Sequence, residues 1–205
     1  MTTPIEPAAT PAAPRRSPGW LPIVLGVVAF ALVLSSAAVV LGDWLWRNAE
    51  MNALVTAVEG SEAAMGRTQD DLRGIARGIT ASSKAADIAK LSDAAGRGEN
   101  RIANAGYAVG AVQVAPWHRR ILEAKAAYVR HNQAWQDYMS AIATDPKVYG
   151  SDQPEINDSF MASEPLMKEA VPIPALYDLV KRVSDIYTEG APPAQSDGQQ
   201  VLLRR

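Results

Sequence analysis

Histidine is the side chain in this sequence with the widest chemical range, because imidazole binds metal ions and exchanges a proton near neutral pH. The sequence contains two, His118 and His131. On one helix, this separation turns them about 140° apart around the axis, so we do not expect them to share a metal ion. No HExxH pairing accompanies them. We expect His131 to lie at the surface or rim of the fold.

Other catalytic signatures are missing from the sequence. It has no GxSxG or SxxK segment, no P-loop, and no GxGxxG, since the pair Gly96 and Gly98 lacks a third glycine. The acidic residues from Asp152 to Asp158 do not have the spacing of a calcium-binding EF-hand. Without any cysteine, thiolate sites are excluded. We therefore predict no catalytic residues, no cofactor-binding residues and no metal ligands, and we predict that the protein is not an enzyme.

Aromatic residues give a better indication of where function could lie. Four of them are concentrated on or just before one predicted helix: Trp117, Tyr128, Trp135 and Tyr138. Such side chains fill hydrophobic cores, and they also anchor protein interfaces and line small-molecule pockets. We predict the core for most of them, with an interface or a pocket as the alternatives.

The first element that must position these residues is an uncharged segment between Arg16 and Asp43. Residues 20–42 are mostly apolar, and a helix of 22 residues would be roughly 33 Å long, enough to cross a hydrocarbon core of about 30 Å. Tryptophans flank the segment and are predicted to be membrane-interface anchors: Trp20, Trp44 and Trp46. We predict a single transmembrane helix over residues 20–42.

The flanking charges predict the orientation of this helix. Arg15 and Arg16 precede it, whereas Arg47 is the only nearby cation after it. Because positive charge stays on the cytoplasmic side, we predict a plasma-membrane protein with a cytoplasmic amino terminus and an extracytoplasmic carboxy-terminal domain. The alternative is a cleaved signal peptide, since Ser36-Ala37-Ala38 resembles a cleavage site. The apolar run continues through Leu41, which favours the anchor.

The rest of the chain is predicted to form three parts, which differ in amino-acid composition. Residues 1–19 are rich in proline and alanine and are predicted to form a disordered cytoplasmic tail. Residues 43–189 are predicted to be an extracytoplasmic helical bundle, and residues 190–205 a flexible carboxy-terminal tail. The net charge of −2 argues against a nucleic-acid partner, since binding phosphates requires a basic surface.

A seven-residue apolar repeat follows the predicted membrane segment. It comprises Trp44, Met51, Val58, Met65, Leu72 and Ile79. Only a helix brings every seventh side chain to one face, so the membrane helix is predicted to continue as a stalk to about residue 80. A second column contains Arg47, Ser61 and Thr68, which makes a free-standing coiled coil doubtful. We favour packing against later helices of the same chain over a parallel homodimer.

Three helices are predicted downstream of the stalk. The first begins at Ser82 or Ser83, and Gly96 and Gly98 in its middle mark a hinge, a close helix contact or a break. The next runs from Pro116 to about Ile142 and ends at Asp145-Pro146, because the residue before a proline disfavours helix.

Prolines divide the last part of the chain. Residues 146–173 are predicted to be a loop with short helical turns around 155–162 and 165–169. A last helix is predicted to start at Pro174 and to place four residues inward: Leu176, Leu179, Val183 and Ile186.

The predicted fold is all-α: a single transmembrane helix continues into a stalk helix and packs with two or three antiparallel helices as a small bundle. Bundles of this layout resemble the extracytoplasmic four-helix domains of bacterial chemoreceptors and sensor kinases. The resemblance is one of architecture, and it implies ligand sensing through a partner. The excess of arginine over lysine and the abundant alanine indicate a GC-rich bacterial genome.

The function predicted from these features is a single-pass, membrane-anchored helical interaction module, an accessory or scaffold protein of a bacterial cell envelope. Its expected partners are the lipid bilayer and either another protein or a second copy of the chain. A ligand-sensing domain that acts through a partner is the alternative, followed by an enzyme without a recognisable motif.

Overall fold

The computed structural model describes residues 20–80 and 85–189. Within these residues the chain is all-helical and contains no strand, which confirms that the fold is all-α. The α-helices are α1 (Leu21–Ala76), α2 (Ala85–Ala111), α3 (Arg119–Thr144), α4 (Pro154–Ala170) and α5 (Leu179–Glu189), with a 3-10 turn at Pro146–Val148. The predictions for residues 1–19, for the cap at Ser82 or Ser83 and for residues 190–205 lie outside the described residues.

The chain divides into two units, Met1–Asp43 and Trp44–Arg205. In the first unit, the described part of α1 is apolar around its whole circumference, and every side chain from Ile23 to Gly42 is exposed. By length and composition, this is a helix that could cross a membrane.

In the second unit, the seven-residue stripe on α1 is buried. Met51, Val58, Met65 and Leu72 are inaccessible to solvent or nearly so. The first two belong to a hydrophobic cluster with residues of all four later helices, including Val109, Ile121, Met167 and Val183. The stripe therefore packs within the chain, which is the arrangement that the repeat favoured over a parallel homodimer.

A second hydrophobic cluster joins the other end of this part of α1 to α2, α3 and α4. Its members include Met65, Leu72, Leu91, Ile102, Trp135, Met139 and Ile156. Gly98 explains how closely α2 approaches α1, since a Cβ atom at this position would lie 2.3 Å from Thr68 Cγ2. Of the three explanations offered for the glycine pair, the close helix contact is correct for Gly98. No atom lies within 4 Å of a Cβ placed at Gly96.

Two of the predicted helix starts were too early. Helix α3 begins at Arg119 rather than Pro116, because the chain turns at residues 115–118 and His118 occupies the N-cap. Helix α5 begins at Leu179 rather than Pro174. Tyr177 and Asp178 have φ angles of 57° and 53°, which are incompatible with a right-handed helix. The predicted end of α3 at Asp145 is confirmed.

The prediction of two short helical turns within residues 146–173 was wrong. Helix α4 is continuous from Pro154 to Ala170 and contains Pro165 in its interior. An interior proline costs about 3 kcal/mol. Pro165 lies on the exposed face, whereas the opposite face buries Ile156, Phe160 and Met167. Burial of each such side chain contributes roughly 1.5–3 kcal/mol, which offsets the cost of the proline.

The last helix is fastened to α1 by one arginine. The Arg182 guanidinium donates to both carboxylate oxygens of Glu59, at 2.7 and 2.6 Å. It also donates to Asn52 Oδ1 at 2.6 Å and to Thr56 Oγ1 at 2.9 Å. Bidentate pairing of this kind fixes the geometry as well as adding attraction. It holds α5 in register with about two turns of α1.

Candidate functional site

A group of polar and aromatic side chains lies between α1, α3, α4 and α5. We call it the Glu62 cluster and define it as Glu62, Tyr128, His131, Ser159 and Tyr187. Tyr128 and His131 share a face of α3 because three residues separate them. Tyr128 is fully buried and His131 is 2% exposed.

Two hydrogen bonds and one longer polar contact connect four of these side chains: Glu62, Tyr128, His131 and Ser159. The Tyr128 hydroxyl donates to Oε1 of Glu62. Nε2 of His131 lies 3.8 Å from the same oxygen, and its Nδ1 lies 3.0 Å from Ser159 Oγ. The Tyr187 hydroxyl lies 2.7 Å from Ser163 Oγ. Glu62 is thus the one carboxylate in this group, and two other polar side chains face it.

Burial changes the protonation of the cluster. Desolvation raises the pKa of Glu62 to about 7, and the hydrogen bond from Tyr128 acts in the opposite direction. Desolvation lowers the pKa of His131 to about 4, against a hydrogen bond to the Ile156 carbonyl. Burial also raises the pKa of Tyr128 and of Tyr187. Near neutral pH the cluster therefore holds a neutral imidazole beside a carboxyl group that is close to half-protonated.

The expectation that His131 lies at the surface or rim was wrong. Aromatic rings pack against its imidazole, with centroids 5.5 Å away for Tyr128 and 5.2 Å for Phe160. Ser159 provides a polar partner, so the imidazole is buried without losing its hydrogen bonds. The three-residue spacing from Tyr128, which lies on the apolar stripe of α3, was the sequence signal for this burial.

Ser159, His131 and Glu62 are the residue types of a serine hydrolase triad, but their setting differs from one. Ser159 lies inside α4, and its hydroxyl donates to the Ile156 carbonyl at 2.9 Å. A nucleophile needs nearby donors for the oxyanion, whereas the backbone N–H groups in a helix interior are already bonded. The cluster can hold and exchange one proton. It is not arranged for acyl transfer.

A second group lies where three segments meet: residues 44–50, 112–118 and 171–178. We call this the aromatic end. Trp46 and Trp117 contact edge to face, with ring centroids 5.3 Å apart and planes at 86°. The Trp44 indole N–H donates to the Pro174 carbonyl at 2.8 Å. Trp46 is 49% exposed, Trp117 is 58% exposed and Ile173 is 94% exposed.

Beneath these rings, a buried acidic residue holds the connector between α2 and α3. Glu50 Oε1 accepts the Ala115 N–H at 2.8 Å, and Glu50 Oε2 lies 2.5 Å from His118 Nδ1. Both side chains are almost inaccessible to solvent. The contact positions Trp117, which precedes His118 and packs against its ring.

The four aromatic residues singled out by the sequence do not form one site. Trp117 belongs to the aromatic end and Tyr128 to the Glu62 cluster. Trp135 and Tyr138 lie together, with ring centroids 6.1 Å apart, and Trp135 is part of the second hydrophobic cluster. At 1.5 Å per residue, Trp135 lies about 24 Å along α3 from Arg119, the first residue of the helix, whereas Trp117 precedes that helix.

The remaining predicted site residues are tryptophans beside the apolar segment. Trp20 is exposed immediately before α1, and Trp44 is half-buried. Among the described residues, no group of three or more His, Cys, Asp or Glu side chains is placed to hold a metal ion. Sequence reasoning missed Glu62, Ser159, Ile173 and Tyr187, because their roles depend on neighbours from distant segments.

No protein-family model matches the chain, and neither curated proteins nor solved structures provide a match.

Proposed function

We propose that this chain is a single-pass membrane protein of a bacterial cell envelope, with a cytoplasmic amino terminus and an extracytoplasmic helical bundle. Its role is that of a non-enzymatic interaction module, an accessory or scaffold for another protein of the same membrane. The partners are the lipid bilayer and one protein.

The observation that carries the membrane anchor is the exposure of the first part of α1. Twelve large apolar side chains between Ile23 and Leu41 are exposed. Leaving such a side chain in water rather than burying it costs roughly 1.5–3 kcal/mol, so the segment as a whole gains on the order of 20 kcal/mol from an apolar surrounding. A lipid bilayer supplies that surrounding over the required length.

Exposed apolar side chains in the second unit support the interaction role. Large apolar residues on three helices are more than half exposed: Tyr107 on α2, Met161 on α4 and Val180 on α5. Buried aromatic and aliphatic anchors account for much of the affinity at protein interfaces. We propose that these positions contact the protein partner.

Affinity capture of the tagged full-length protein from gently solubilised native membranes tests this function. The informative variant carries Tyr107→Ser, Met161→Ser and Val180→Ser. A matched control changes exposed polar positions on the same helices: Asn104→Ser, Asp158→Ser and Ser184→Ala. We expect one stoichiometric envelope protein with the wild type and the control, and its loss from the informative variant. Recovery of the chain alone in all three experiments would contradict the proposal.

A ligand-sensing domain that acts through a partner is a second candidate, and the Glu62 cluster favours it. Titratable side chains with strongly shifted pKa values concentrate at functional sites. A small ligand that bound beside Glu62 would stabilise the folded protein. Thermal unfolding of the full-length protein in detergent, with a panel of small amines and carboxylic acids, tests this role. A midpoint that no compound raises in the wild type would count against it.

A further inference from the structure

The aromatic end exposes apolar side chains from three segments that are far apart in the sequence. Trp46 comes from α1, Trp117 from the connector between α2 and α3, and Ile173 from the connector between α4 and α5. Ile173 is 94% exposed, the highest value among the large apolar side chains of the described residues. Such exposure is unfavourable in water, which points to a partner at this end.

Hydrogen bonds hold both connectors against α1. Trp44 donates to the Pro174 carbonyl at 2.8 Å, and the Leu176 N–H donates to Asn48 Oδ1 at 2.7 Å. The Glu50 carboxylate holds the other connector through the Ala115 N–H. Hydrogen bonds therefore fix both connectors to α1, so the exposure of Trp117 and Ile173 is not a consequence of loose loops.

The chemistry of the exposed residues fits the boundary between lipid and water. Tryptophan prefers that boundary because its ring is apolar while its N–H needs a polar partner, and isoleucine gains from the acyl chains beneath. Arg119 and Arg120 follow Trp117 directly and are exposed. Cations in the first turn of a helix oppose its dipole, so this placement does not serve α3 itself. Lipid phosphates would offset that repulsion.

Chain connectivity indicates lipid rather than a protein as the occupant. The apolar side chains of α1 extend to Leu41, and Trp44 lies three residues further on. If residues 20–42 cross the bilayer, as the proposed function holds, then Trp44 and Trp46 leave it at the headgroup layer. The other two segments of the aromatic end are hydrogen-bonded to Trp44, Asn48 and Glu50, within about two helical turns of this point.

We infer that the aromatic end is a lipid-docking surface, a second membrane contact besides the transmembrane helix. Trp117 and Ile173 insert into the headgroup region of the extracytoplasmic leaflet, and Arg119 and Arg120 bind its phosphates. This inference rests on the proposed membrane anchor, and it adds two connectors that the tryptophans flanking the apolar segment did not indicate.

The absence of native cysteine allows each position to be labelled alone. We would place an environment-sensitive fluorophore on Ile173→Cys in the full-length protein, reconstituted in vesicles of phosphatidylcholine and phosphatidylglycerol. Quenching by brominated lipid and by aqueous iodide reports its depth. The control is Asp152→Cys, exposed beyond the far end of α3, about 39 Å of helix from Arg119. We expect lipid quenching at 173 and iodide quenching at 152.

A third label, on Leu34→Cys, separates the two proposals. Lipid quenching at 34 together with iodide quenching at 173 would overturn the docking surface while leaving the anchor intact. Loss of lipid quenching at 34 would overturn the anchor itself. A label at 173 that neither quencher reaches would mean that a second copy of the chain covers this end, which also overturns lipid docking.

Replacing both arginines tests the lipid headgroup. In anionic vesicles, Arg119→Gln with Arg120→Gln should shift the ratio of docked to undocked label at 173 roughly thirtyfold toward the undocked state. In vesicles of phosphatidylcholine alone, where choline neutralises each phosphate, the same variant should differ less from the wild type. No effect of the variant in either vesicle would overturn the assignment of these arginines to lipid phosphates.

Discussion

The imidazole Nε2 of His131 lies 3.8 Å from Oε1 of Glu62, and burial shifts the pKa values of the two groups in opposite directions. The pKa of Glu62 rises to about 7, whereas the pKa of His131 falls to about 4. Both shifts favour the neutral form. The protein thereby avoids holding a charged pair away from water, for which desolvation can exceed the mutual attraction.

The two pKa shifts act on stability with opposite signs. Folded Glu62 keeps its proton above its ordinary pKa of 4.5. The stability that this proton gives the folded state is complete below pH 4.5 and is lost as the pH rises through about 7. Folded His131 resists protonation below its ordinary pKa of 6.5, so its contribution is complete above pH 6.5 and is lost as the pH falls through about 4. Between pH 4.5 and 6.5 the contribution of Glu62 falls while that of His131 rises, so we expect little net change of stability with pH in this range.

Glu62→Gln should expose the contribution of His131. Relative to wild type, the variant should become more stable by about 3 kcal/mol as the pH rises from 4.5 to 7, because it no longer has a buried carboxyl group to ionise. Chemical unfolding in detergent, followed by tryptophan fluorescence at several pH values, measures the difference. Glu123→Gln, at an exposed position of α3, is the matched control. A flat difference curve for Glu62→Gln would show that this carboxyl group titrates normally.

Tyr128→Phe removes the hydroxyl that donates to Glu62. A hydrogen bond to a charged group contributes about 1.5–3 kcal/mol, and one between neutral groups contributes less. The free energy of unfolding should therefore fall more at pH 8.5, where the carboxylate is ionised, than at pH 5. Tyr107→Phe removes an exposed hydroxyl and should have no effect at either pH. An equal loss for Tyr128→Phe at both pH values would mean that its hydrogen bond does not depend on the charge of Glu62.

The two glycines of α2 should respond oppositely to alanine. Gly98→Ala places a Cβ 2.3 Å from Thr68 Cγ2, and overpacking of this kind costs about 1–3 kcal/mol. Gly96→Ala meets no atom within 4 Å and should stabilise the protein by roughly 0.5–1 kcal/mol through helix propensity. Thermal unfolding monitored by circular dichroism compares the two variants. Equal midpoints would contradict the close contact between α1 and α2.

Pro165→Ala should stabilise α4. The proline interrupts the backbone hydrogen bonding of a continuous helix, and replacing it restores one donor at an exposed position. We expect a gain of about 1–3 kcal/mol in the free energy of unfolding. Pro154→Ala is the control, because Pro154 occupies the first turn, where its missing N–H costs little. If both substitutions have the same small effect, α4 is not continuous through Pro165 in solution.

Local sequence patterns predicted much of the architecture. The repeat from Trp44 to Ile79 indicated both the helix and its buried face, because the seven-residue spacing can be read along the sequence without knowledge of distant contacts. The Asp145-Pro146 pair ended α3 at the predicted place. Helix α4 could not be predicted in this way, since the packing of Phe160 and Met167 against distant residues outweighs the penalty of Pro165.

The candidate sites were less predictable for the same reason. Nothing around Glu62 in the sequence distinguishes it from an exposed helical glutamate. Its raised pKa depends on Tyr128 and His131, which the fold brings to it from α3. The aromatic end likewise joins Trp46 to Trp117 across a sequence separation that no short motif spans.

The bond between Arg182 and Glu59 has a consequence for biogenesis. These residues are 123 positions apart, and α5 also contributes Leu179, Val183 and Ile186 to the first hydrophobic cluster. The earlier helices therefore leave a gap in their core until almost the whole domain has emerged from the ribosome. If the bundle is exported, as the proposed function holds, the polypeptide should remain open during export and close only when α5 arrives.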